Sequence, residues 1–200
     1  MTRYRRSLLA ASLLLLTGCG SATAPTPPTS TPPEASPAPT AVVSAIGEFN
    51  AADVMFLQMM VTHHEQGIEL VRLAETRAQR PELKILAAAI DVTQSAERDT
   101  MQGWLRDWGR PTSADPNAHA HADHGGMPAT GPEEIAALRQ LSGAEFDRTF
   151  LNLMTGHQHG AVELARTEIR LGVHQQSREL ARRIDLSRTA QIDQMLELLA

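Results

Sequence analysis

The stretch Phe56-Leu-Gln-Met-Met-Val-Thr-His-His-Glu-Gln-Gly67 returns, altered but in step, as Phe150-Leu-Asn-Leu-Met-Thr-Gly-His-Gln-His-Gly-Ala161. The register extends well beyond it. Asp53 to Leu105 aligns without a gap onto Asp147 to Leu199 at a constant offset of 94, with 16 of 53 positions identical. Matched leucines, isoleucines and aspartates arise between any two helices of similar pattern. A matched Met60-x-x-His63 and Met154-x-x-His157 is more specific, because it sets a thioether and an imidazole one helical turn apart, twice. Both are metal-ligand types.

The surrounding periodicity is helical. Asn50 precedes an apolar line Phe56, Met60, His63, Gly67, Leu70, Ala74, stepping by four and three. Pro81 suits the first turn of a second helix, whose inward line is Leu83, Leu86, Ile90, Gln94, Glu97, Met101 and Trp104 or Leu105. Gly109-Arg-Pro111 ends it, and Gly131-Pro132 opens a short helix. Ser142-Gly-Ala-Glu145 reads as a capping box before the line Phe150, Met154, His157, Ala161, Leu164. Gly172 stops that helix, and a last one runs from about Gln175 to Leu199. The pattern predicts an all-α four-helix bundle of two repeated hairpins, with a crossover loop and a short extra helix. Each hairpin alone exposes an apolar stripe. The two should therefore pack face to face about a pseudo-two-fold axis, bringing equivalent positions of the first and third long helices together.

The N-terminal segment reads as a processing signal. Arg3, Arg5 and Arg6 precede the short apolar run Leu8 to Leu16, which is too short to span a bilayer. Leu16-Thr17-Gly18-Cys19 resembles a bacterial lipobox and contains the chain's one cysteine. The expected organisation is a signal peptide over 1–18, a lipidated Cys19 with a Pro/Thr/Ser-rich tether over 19–47, and a helical domain over 48–200. Within that domain the repeats are 53–105 and 147–199, with a His-rich linker at 111–131. Seven of the twelve prolines fall between Pro25 and Pro39, a composition that does not build a core. The expected place is extracytoplasmic, anchored to the membrane by lipid rather than by a spanning helix. The formal charge of −5 becomes −8 without the three signal arginines. An acidic chain is a poor partner for nucleic acid and a fair one for cations.

Several residues are candidates for chemistry. His63 and His157 lie on apolar lines, where a single histidine is ordinarily a satisfied core residue; here each has a methionine one turn before it. His64, with Met60 four residues before it, and His159, with Glu163 four residues on, add further ligand pairs. Thioethers with imidazoles favour Cu(I), whereas imidazoles with carboxylates favour zinc, iron or Cu(II). Glu97 and Met101 fall on the inward line of the second helix. Glu97 reads either as a ligand or as the partner of Arg188 in an ion pair across the bundle. In the linker, His119, His121, His124 and Met127 form a short chelating tract or a merely polar loop. Zinc-protease, di-iron carboxylate and phosphate-loop patterns are missing.

Phe56 to Gly67, Phe150 to Leu164, the Gln94-x-x-Glu97-x-x-x-Met101-x-x-Trp104-Leu105 pattern and His124-Gly-Gly-Met127-Pro resemble the repeats and linker of the domain of unknown function 305 family. The resemblance covers about residues 48 to 200. It implies an exported, ferritin-like bundle, with copper binding and copper tolerance associated with some members. Carried over by position, the family's Met-x-x-His-His falls on Met60, His63 and His64, and in the second repeat on Met154 and His157, where Gln158 replaces the second histidine. Leu70 and Leu164 stand where the family often has methionine, which shifts weight from thioether toward His and Glu ligation.

Three functions fit these residues. The first is a lipid-anchored metal-binding protein for copper, in sequestration, tolerance or transfer, with Met60, His63, His64, Met154, His157 and His159 as ligands and Met101 and Glu97 next. The second is a metal-dependent redox enzyme. The third is an interaction module whose Met and His residues are core. A protein partner and self-association into a homo-oligomer are left open by the sequence.

Overall fold

The computed structural model describes residues 47–114 and 130–200. Cys19 and the linker residues His119, His121, His124 and Met127 lie outside the described residues. The elements are α1 (Ala51–Arg77), α2 (Pro81–Asp107), α3 (Pro132–Leu138), α4 (Gly143–Leu171) and α5 (Gln175–Leu199), with no strand among the described residues. α1 packs on α2 and α4 on α5; the two hairpins meet through α1 and α4, and α3 rests on α4. The all-helical, two-hairpin architecture expected from the periodicity is the one found.

The local signals explain the boundaries. Asn50 caps α1, its side chain accepting from Ala52 N at 2.8 Å and Asp53 N at 3.0 Å, while Asp53 accepts from Asn50 N at 2.7 Å. That reciprocal pairing satisfies donors that a helix start otherwise leaves unmade. Pro81 opens α2 and Pro132 opens α3, where the missing N–H costs nothing. One expectation fails. Ser142 sits at the N-cap of α4 but its side chain makes no capping bond. A capping box needs a helical first turn, and Gly143 enters at φ 62°, a conformation that glycine adopts freely but that breaks the box geometry.

The offset of 94 recurs in contacts between the hairpins. Asp53, fully buried, accepts from Val173 N at 3.1 Å and His174 N at 3.0 Å in the α4–α5 turn. Asp147 accepts from Gln79 N at 2.9 Å and Arg80 N at 3.1 Å in the α1–α2 turn. Each aspartate thus fastens the start of one hairpin to the turn of the other. Arg72–Asp91 at 3.0 Å and Arg166–Asp185 at 3.1 Å form a second matched pair.

Two apolar clusters make the core. One gathers Leu70, Leu83, Ile90, Phe146, Phe150, Met154 and Met195 among others. The other gathers Phe56, Met60, Met101, Leu105, Leu164 and Ile184 among others. Each such buried side chain contributes about 1.5–3 kcal/mol from area alone, so a single hairpin forgoes most of its stabilising term.

Candidate metal centre

Between the two clusters each long helix contributes polar residues: His63 and His64 from α1, Gln94 and Glu97 from α2, His157 and Gln158 from α4, Arg188 and Gln191 from α5. These are four repeat-related pairs. His63, His64, Gln94, His157, Gln158 and Arg188 are buried. Such a belt costs free energy unless its groups are paired.

At its centre the two repeat-matched imidazoles stack, with ring centroids 3.7 Å apart and planes 22° from parallel. The expected approach of equivalent positions on the first and third long helices is thus found. His63 donates from Nε2 to the His157 carbonyl at 3.0 Å, which leaves its Nδ1 with a lone pair and no partner. His64 donates from Nε2 to Glu97 Oε2 at 2.8 Å, and its Nδ1 likewise has no partner. His157 Nδ1 faces the Thr130 hydroxyl at 3.4 Å, while its Nε2 has none. Among the described residues the belt therefore holds three buried imidazole nitrogens without hydrogen-bond partners.

All three rings are held neutral. Burial pushes His63 well below its usual value, helped by the charges of His157 and His64. Burial lowers His64 as well, against the opposing hydrogen bond to Glu97. His157 falls to about 3, through burial and then the charges of His64 and Arg188. Neutral imidazole is the ligand form. Burial alone would raise the Glu97 carboxyl, but the His64 hydrogen bond and the Arg188 charge outweigh it and hold Glu97 below its usual value.

The arrangement is asymmetric. His64 bonds Glu97, and at the matching positions Gln158 Nε2 donates to Gln191 Oε1 at 2.6 Å. Arg188, 0% exposed, reaches across to Glu97; its counterpart Gln94 finds no side-chain partner. Of the two readings for Glu97, the ion pair with Arg188 is the contact present. Gly67 makes room for the belt: a Cβ there would collide with Gln94 Oε1 and lie 2.7 Å from His157 Nε2.

The methionines divide. Met60 and Met101 pack in one cluster, Met154 and Met195 in the other. His159 is not brought to the belt. It is exposed, with Nδ1 donating to the Thr155 carbonyl at 2.8 Å, and Glu163 turns to Arg166 at 3.7 Å instead. Two residues beyond His157 is about 200° around the helix, so an outward position follows. Among the described residues no three His, Cys, Asp or Glu side chains converge on one metal position. A cavity of about 280 Å³ lined by Gln66, Glu69, Thr130, Pro132, Ile135, Ala136 and Arg139 opens beside Thr130, next to His157. Among the described residues no helix is long and apolar enough to cross a membrane.

Sequence reasoning passed over Thr130, Gly67, Asp53 and Asp147 as positioning residues. Only the aspartates left a signal, an identical pair opening the two repeats.

Residues 53–199 match the family described as Domain of unknown function (DUF305). The chain belongs to the DUF305 family. A DUF305 protein from Streptomyces coelicolor described as secreted shares 29% identity and a TM-score of 0.69, with 74% of this chain and 91% of that one covered. A DUF305 fragment from Deinococcus radiodurans shares 26% identity and a TM-score of 0.68, covering 76% of this chain and 98% of its own. CopM in its Cu(I)-bound form shares 29% identity and a TM-score of 0.61, with 73% of this chain and 94% of that one covered. CopM has also been solved with Cu(II) and with silver. No curated protein matches.

Proposed function

We propose that this DUF305 protein is an extracytoplasmic copper-binding protein, held to a membrane through lipid on Cys19, that sequesters or hands over the ion. The observation that carries the reading is the set of three buried, neutral imidazole nitrogens without partners, Nδ1 of His63 and His64 and Nε2 of His157. Orphaned polar atoms are rare in a packed core and ask for an explanation. An ion that accepts nitrogen donors supplies one. The likeness to CopM in Cu(I), Cu(II) and silver forms supports copper over other metals. Met60 and Met154, one turn before His63 and His157, are the candidate thioethers; they pack in the two different clusters, with Met101 in that of Met60. Because the two central rings stack rather than converge, binding requires them to part. His119, His121, His124 and Met127 would form a second, looser site that captures the ion first.

The test is competition for Cu(I) against a colorimetric chelator, using the full chain, the His63→Ala/His157→Ala variant, and a variant with His119, His121 and His124 all changed to alanine. Loss of tight binding in the first variant and its survival in the second is the expected result. The reverse pattern moves the site to the linker. No competition by the full chain removes the copper reading.

A further inference from the structure

We infer that Arg188 sets the charge selectivity of the belt, favouring a monovalent soft ion over a divalent one by occupying Glu97 and cancelling its negative charge. The inference rests on the reading that the belt binds an ion. Its basis is the broken symmetry of the repeat. At matched positions the first hairpin carries His64 with Glu97, the second Gln158 with Gln191; the first carries Gln94 where the second carries Arg188. Of the neutral set, Gln158 donates to Gln191 at 2.6 Å, while Gln94 finds no side-chain partner. The second hairpin thus holds its half of the belt without a carboxylate. A buried ion pair is seldom more stabilising than neutral packing of similar volume, so packing leaves the fully buried Arg188 unexplained.

Electrostatics gives it a role. A guanidinium in contact with Glu97 cancels the carboxylate's attraction, which scales with the charge of the incoming ion, so a divalent ion loses twice what a monovalent one loses. Arg188 stands beside the belt because it shares Glu97 Oε2 with His64. Oε2 of Glu97 accepts from both His64 and Arg188, so that oxygen is taken. Carboxylate oxygen is the hard donor that would draw a divalent ion. Arg188 thus acts on selectivity twice, by cancelling the charge of Glu97 and by engaging its Oε2.

Silver(I) and zinc(II) test this without copper's redox changes. The measurement is the affinity for each ion, in the full chain with His119, His121 and His124 changed to alanine. Arg188→Gln, which installs the residue found at position 94, should raise zinc(II) affinity relative to silver(I) by about tenfold or more. Adding Glu97→Gln restores the net charge of the parent and removes the carboxylate, and should abolish that gain. Circular dichroism reports folding. If Arg188→Gln alone fails to fold, Glu97→Gln decides, because it leaves the guanidinium unopposed and should lower zinc(II) affinity relative to silver(I). An unchanged zinc-to-silver ratio in the folded single variant overturns the inference while the copper reading stands. A parent chain whose binding of both ions is indifferent to His63→Ala/His157→Ala overturns the functional reading and the inference with it.

Discussion

Asp53 and Asp147 do the same work at opposite ends of the bundle, yet their surroundings differ. Around Asp147 the matching positions hold Ala74, Arg80 and Leu83, and both apolar residues are buried in a core cluster. Around Asp53 the same positions hold Glu168, His174 and Ser177. There Ser177 Oγ donates to Glu168 Oε1 at 2.6 Å, His174 Nδ1 accepts from Ser177 N at 3.2 Å, and His174 meets Trp108 edge-on at 4.8 Å between centroids. Gly172 leaves the space in which Glu168 and Asp53 approach: a Cβ there would lie 2.5 Å from Glu168 Oε1 and 2.7 Å from Asp53 Oδ1. The shared contacts are what the fold requires of each hairpin. The unshared ones, at this end and in the belt, are where the two hairpins differ in polar residues.

The largest expected difference between the ends is in pH dependence. Burial, together with the neighbouring Asp53, raises the Glu168 carboxyl to about 8 against a hydrogen bond from Ser177. The folded chain therefore holds a proton that the unfolded chain releases near pH 4.5. Between those values the native state binds more protons, so its stability must fall as pH rises, by up to about 1.4 kcal/mol per pH unit from this group. Urea melts from pH 5 to 9 should show that slope in the wild type and lose it in Glu168→Gln, which becomes the more stable of the two near pH 8. Parallel curves would erase the contrast.

Next in size is the shared staple. Asp147→Ala leaves the Gln79 and Arg80 amides without their acceptor and should cost about 2–4 kcal/mol in chemical denaturation. Asp53→Ala at neutral pH should cost less than its own three lost bonds imply, because it also relieves Glu168. Equal losses at pH 5 and pH 8 would argue against that coupling.

Gly67 and its counterpart Ala161 sharpen the comparison at the belt. Alanine ordinarily stabilises a helix over glycine by about 1 kcal/mol. Gly67→Ala should instead destabilise by about 1–3 kcal/mol, because its Cβ meets Gln94 and His157. A gain in melting temperature would mean the belt can yield. The smallest effect belongs to the exposed matched pairs. Arg72→Ala and Arg166→Ala should leave thermal melts within error of wild type, since exposed ion pairs contribute little.

Much of this was legible in the chain. Helix existence, the Asn50 cap, the Pro81 and Gly172 boundaries and the meeting of His63 with His157 follow from periodicity and the repeat, because these depend on local backbone chemistry and on one offset. Glu97 and Arg188 were paired in advance by being polar on inward lines. What escaped was long-range or angular. The aspartate staples join groups some 120 and 68 residues apart, and no local pattern marks an amide in a distant turn as needing an acceptor. Ring stacking depends on side-chain torsions that spacing does not fix. His159 was misplaced because four-residue pairing with Glu163 was weighed without its angle to His157.

The two apolar clusters have a consequence for cooperativity. Each draws residues from α1, α2, α4 and α5, and the polar belt separates them. The natural units of opening therefore run across the bundle, one cluster at a time, not along the chain one repeat at a time. Hydrogen exchange should sort amides by their height on the bundle, grouping the start of α1 with the end of α4 even though they belong to different repeats.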